Sequence, residues 1–115
     1  MATINSIERS IDKIKQKIVN LGDIHPGSIS KQYNICGNPN CRCKDPENPK
    51  KHGPYYQLSF VHKGKSTSRF LKTEIVAEVR RHIANYKKFK LLVDDWKGLA
   101  TELAKMRIDE AKKKN

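Results

Sequence analysis

Apolar residues near the N-terminus recur at Ile4, Ile7, Ile11, Ile14, Ile18 and Leu21, in alternating steps of three and four. That spacing keeps all of them on one helical face, in a stripe as narrow as a coiled-coil seam. Gly22 follows at once, where a helix stop is expected. Such a stripe needs cover from another helix of the chain or from a second chain. The pattern then changes. Pro26, Gly27, Pro39, Pro46 and Pro49 exclude a helix over the following stretch. Ser28 to Ile35 can form a short strand.

From Tyr56 onward the alternation has a period of two: Tyr56, Leu58 and Phe60 against Gln57, Ser59 and Val61. With a turn around His62, Lys63 and Gly64, this predicts a hairpin. A three-residue loop with left-handed Gly64 would set Phe70 opposite Tyr56 and gather Tyr56, Leu58, Phe60 and Phe70 on one face. Tyr55, Gln57, Lys65, Thr67 and Arg69 would then point outward. A last helical pattern starts at Thr73, an expected N-cap followed by Glu74. It runs through Val76, Val79, Ile83, Tyr86, Val93, Trp96, Leu99, Leu103 and Met106.

The predicted fold is α+β, a small antiparallel β unit stapled by zinc and set between an N-terminal helix and a long C-terminal helix. Its sections are 1–22, 23–72 and 73–115, taken as one structural domain. The two helices are expected to pair as a coiled coil. The long helix outreaches its partner around Trp96 to Met106, which predicts a homodimer that covers the excess apolar length.

Composition sharpens this picture. Hydrophobic residues are only 37% of the 115, so the core is thin and an added staple is expected. Lysine and arginine number 24 against 12 acids, a formal charge of +12, which favours a polyanionic partner. The surplus is local. Between Lys31 and Lys72 lie nine basic residues and two acids. Arg80, Arg81, Lys87 and Lys88 extend it along the helix. Lys63, Lys65, Arg69, Arg80, Arg81, Lys87 and Lys88 are therefore the expected phosphate contacts. Tyr55 and Tyr33 could stack on bases if exposed, whereas Tyr56 is expected to fill the core. The N-terminus has no apolar targeting region, and no apolar run approaches membrane-spanning length.

The chemistry lies between Cys36 and Cys43, which reads C-G-N-P-N-C-R-C, with His52 nine residues further on. Three cysteines within eight residues leave one over from any disulfide pairing, while thiolates converge readily on one metal ion. Clustered thiols of this kind also point to a reducing, cytoplasmic setting. Cys36, Cys41, Cys43 and His52 are the expected zinc ligands. His25, beside a Pro26-Gly27 turn, is the alternative fourth. Three thiolates and an imidazole make a closed structural site, and no nucleophile, carboxylate pair or phosphate loop stands out. An enzyme with a small-molecule substrate is not expected.

The strings HPGS (from His25), CG-x-x-x-CRC (from Cys36) and HGPYYQLS (from His52) resemble a family of small microbial zinc-cluster proteins of unknown function. The resemblance runs from His25 to about Trp96. It implies Cys36, Cys41, Cys43 and His52 as ligands. It also implies a setting near mobile elements, and through that a role on DNA. The expected function is a non-enzymatic zinc protein binding nucleic acid, DNA ahead of RNA. The alternative is a zinc-stabilised coiled-coil scaffold subunit.

Overall fold

The computed structural model describes residues 2–113. In chain order the elements are helix α1 (Ile4–Val19), strand β1 (Ser28–Asn34), a single 3-10 turn (Arg42–Lys44), strands β2 (His52–His62) and β3 (Lys65–Leu71), and helix α2 (Thr73–Lys113). The α+β class is as the sequence predicts. The chain forms two compact units. One holds α1 and the part of α2 from Ala84 onward; the other runs from His25 to Ile83.

In the helical unit, Thr3 caps α1. Its hydroxyl accepts from the Ser6 amide at 3.1 Å, and its own amide donates to the Ser6 hydroxyl at 2.9 Å. This reciprocal box satisfies two of the amides a helix start leaves over. Ile7, Ile11 and Ile14 are the buried members of the apolar stripe. Ile7 and Ile11 cluster with Leu103, and Ile4, Trp96, Leu99 and Met106 pack around them. Glu8 pairs with Arg107 at 2.7 Å, and the Lys15 ammonium sits 5.2 Å from the Trp96 ring centre. Rising numbers on α1 thus meet falling numbers on α2, so the helices are antiparallel. Because α1 covers Leu103 and its neighbours, the stretch from Trp96 to Met106 gives no reason for a second chain.

The other unit is a three-stranded antiparallel sheet in the order β1-β2-β3. Leu58, on the central strand, is buried against Val79 and Ile83 of α2, with Ile29, Phe60 and Leu71 packed around them. Full burial of each such side chain is worth about 1.5–3 kcal/mol, so this core is small. Gly27 lets β1 begin close against β2. Its φ is +114°, and a Cβ there would press on the Ser59 carbonyl oxygen and lie 2.9 Å from the Phe60 Cβ.

The hairpin differs from its expected form. Lys63 and Gly64 both have positive φ, 50° and 80°, and His62 pairs with Lys65. This is a two-residue turn, whose backbone twist matches that of the strands it joins. The register therefore moves by one. Leu71, not Phe70, faces Tyr56, while Phe70 faces Gln57 and is 74% exposed. Lys65, Thr67 and Arg69 move to the face shared with Leu58 and Phe60, the face that packs on α2. The opposite face carries Tyr55, Gln57, Ser59 and Val61 with Ser66, Ser68 and Phe70. Thr73 is a further correction. It is the first helical residue, and the Ile75 amide donates to the Lys72 carbonyl at 3.1 Å. Among the described residues, no helix is long and apolar enough to cross a membrane.

Candidate metal centre

Asn34, the last residue of β1, pairs with His52, the first of β2. Everything between them leaves the sheet end and returns to it, so Cys36 and His52 start out as neighbours. The knuckle between is made by short-range bonds. Asn38 accepts from the Cys41 amide through its carbonyl at 3.2 Å and from the Asn40 amide through its side chain at 3.0 Å. The Lys44 amide donates to the Cys41 carbonyl at 3.0 Å, which turns Cys43 inward. Cys43 is 1% exposed and is the one buried residue of the knuckle. The excursion through Pro46 and Pro49 is closed by the Lys50 amide, which donates to the Arg42 carbonyl at 3.0 Å.

The three sulfurs and a ring nitrogen of His52 all lie within 4.8 Å of one another. Cys36 Sγ is 3.6 Å from Cys43 Sγ, and Cys41 Sγ is 3.0 Å from His52 Nε2. Ideal edges of a tetrahedron with bonds of about 2.3 Å to sulfur and 2.0 Å to nitrogen are about 3.8 Å and 3.5 Å. The four side chains are thus gathered to nearly the size such a site needs, and together they could bind a metal ion. The Cys36 amide also donates to Cys43 Sγ at 3.3 Å, as amides do toward metal-bound thiolates.

Electrostatics separate the sulfurs. The Cys41 thiol is lowered to about 6, first by the Cys43 backbone N–H and then by the Cys36 side chain. Burial pushes the Cys43 thiol up. A thiolate is thus ready at Cys41 at neutral pH, whereas Cys43 needs the charge of an ion to lose its proton.

His25, the alternative ligand, is engaged elsewhere. Its amide donates to the His82 carbonyl at 3.1 Å, and its ring meets Phe60 edge-on at 4.8 Å between centres. Its Nδ1 is 2.6 Å from the Pro26 carbonyl oxygen.

The expected nucleic-acid residues Lys63, Lys65, Arg69, Arg80, Arg81, Lys87, Lys88 and Tyr55 are all exposed. They do not share one face. Within the sheet, Tyr55 is on the open side while Lys65 and Arg69 are on the side of α2. Tyr33 and Tyr55 are 50% and 42% exposed, and both line an open cavity of about 870 Å³ beside the cysteines. Asn34, Ile35, Asn38 and Lys51 also line that cavity and were not anticipated from the sequence. The β-bulge between Gln32 and Asn34, which places Tyr33, leaves no sequence signal beyond the ring itself.

A family model for a domain of unknown function, DUF6788, matches residues 4–81, so the chain belongs to that family. No curated protein and no solved structure matches it.

Proposed function

We propose that this member of the DUF6788 family is a non-enzymatic, zinc-stapled protein that binds nucleic acid through its basic surface. Zinc is the metal of choice for three thiolates and one imidazole, because it accepts tetrahedral sulfur–nitrogen sets without redox chemistry. Four protein ligands fill the tetrahedron. No position remains for an activated water, which supports a structural rather than a catalytic ion. The free thiols fit a reducing compartment, taken as the cytoplasm.

The observation that carries the nucleic-acid reading is the local charge surplus. Nine basic residues stand against two acids between Lys31 and Lys72. Lys63, Lys65, Arg69, Arg80 and Arg81 of the sheet unit present theirs to solvent. Neutralising phosphates with such groups releases counterions, so affinity should fall steeply with salt. DNA is placed ahead of RNA because the resemblance implies a setting near mobile elements. The test is a salt titration of binding to a labelled duplex. Arg69→Ala with Arg80→Ala should weaken binding on all sequences alike and lower the salt slope by about one unit for each phosphate no longer neutralised. A parent chain that binds no nucleic acid at low salt would leave the scaffold reading in its place.

A further inference from the structure

The sheet has one face on α2 and one face without cover from the elements of its unit. Three strands contribute to that second face. Tyr55, Gln57, Ser59 and Val61 come from β2, with Ser28, Ser30 and Gln32 of β1 on one side and Ser66, Ser68 and Phe70 of β3 on the other. Phe70 is 74% exposed and Val61 62% exposed. An exposed ring standing on a sheet keeps both its area and its π-face available to a ligand. The setting is unlike an apolar docking face, since most of the other side chains are serine or glutamine. Gln57 lies directly opposite Phe70 and accepts from the Gln32 side-chain amide at 3.1 Å, so two aromatic rings flank a pair of side-chain amides.

We infer that this open face is a stacking platform for unpaired nucleobases, so that the protein selects single-stranded over duplex nucleic acid. The inference rests on the nucleic-acid reading above and adds the form of its ligand. Rings standing on an antiparallel sheet offer their π-faces to any base, and every base has one to offer in return. The amides of Gln32 and Gln57 can bond base edges, which are free only when the strand is unpaired. Lys51, on the cavity beside Tyr55, and Lys63, at the hairpin turn, provide positive charge at the platform's two ends. A duplex hides its base faces and can use only the phosphate contacts. A second copy of this chain is a poor occupant, because it brings a like charge of +12 to a face whose aliphatic content is one valine.

The test uses the full chain with labelled 15-mers, about the upper site size of a single-strand module: oligothymidylate, oligouridylate and a duplex of equal length. The single strands should bind more tightly than the duplex at equal salt. Tyr55→Ala and Phe70→Ala should each weaken single-strand binding by between about five-fold and about 150-fold, the range for losing one stacked base. The salt slope and duplex affinity should not change, because no phosphate contact is removed. Tyr55→Phe should bind like the parent, since it keeps the π-face. Thermal melts of each variant should match the parent, both rings being exposed. Equal binding of duplex and single strand, with affinity untouched when Tyr55→Ala and Phe70→Ala are combined, overturns the platform and leaves the basic-surface reading standing. Absence of binding to all three probes overturns both. A parent dimer that Phe70→Ala converts to monomer in light scattering makes the face a self-interface and overturns the platform.

Discussion

Removal of the proposed zinc should separate the two units by stability. The knuckle from Cys36 to His52 buries one side chain, Cys43, and is otherwise held by a few backbone bonds. Ordering a chain costs about 1–2 kcal/mol per residue in backbone entropy. One small buried side chain offsets only a residue or two of that. Structural zinc sites supply about 10–16 kcal/mol of binding free energy in small peptides at neutral pH. That is comparable to the whole stability of an ordinary domain, about 5–15 kcal/mol. With a strong chelator, residues 36–52 should therefore lose amide protection first. The β1–β2 pairing, anchored at Asn34 and His52, should follow. The pair made by α1 and the distal part of α2 has its own core at Ile7, Ile11 and Leu103, and its helical signal should persist. Amide hydrogen exchange with and without chelator reads all three outcomes, and elemental analysis should find about one zinc per chain. A metal-free chain with unchanged protection across residues 36–52 would refute the reasoning.

Other consequences follow from single positions. Phe70→Ala should change stability by less than about 0.5 kcal/mol, whereas Leu58→Ala should cost about 2–5 kcal/mol in denaturant unfolding. Gly27→Ala meets both a positive φ and a close neighbour, and should destabilise by about 2 kcal/mol or more in the same assay. In the folded knuckle, burial pushes Cys43 up, whereas the Cys43 backbone N–H and the Cys36 side chain lower Cys41 to about 6. Its depressed value favours the folded knuckle at high pH, and that contribution fades as pH falls through about 6. Once a chelator releases the knuckle, the difference between Cys41 and Cys43 should vanish, so alkylation mapped by mass spectrometry at pH 7 should strike Cys36, Cys41 and Cys43 at similar rates, and a lasting lead for Cys41 would mean that the knuckle stays folded without metal. Arg107→Ala should cost under about 1 kcal/mol, since both it and Glu8 remain largely in water.

The clustering of Cys36, Cys41, Cys43 and His52 could be read from the sequence because coordination chemistry is local: three thiols in eight residues have few other uses, and His52 follows within reach. Both helices were legible for a related reason. Their apolar periods are long, and at α1 the stripe runs directly into Gly22, whose φ is positive. The hairpin register was not legible, because two preferences compete there and only one is visible in the letters. Phe70 is the stronger hydrophobe and invites burial, but the turn decides the register, and a single residue of slip exchanges the faces. A left-handed Lys63 carries none of the signal that asparagine would give at that position. Once the turn closes on two residues, Leu71 has to take the inner place and Phe70 the outer one. The same slip carries Lys65 and Arg69 to the side of α2 and clears the open face of charge. What remains there is aromatic, amide and hydroxyl apart from Val61, with the basic residues at its margins. On the proposed reading, phosphate and base recognition would be divided between two sides of one sheet. Loss of Arg69 should therefore register in the salt slope, and loss of Phe70 in the preference for a single strand.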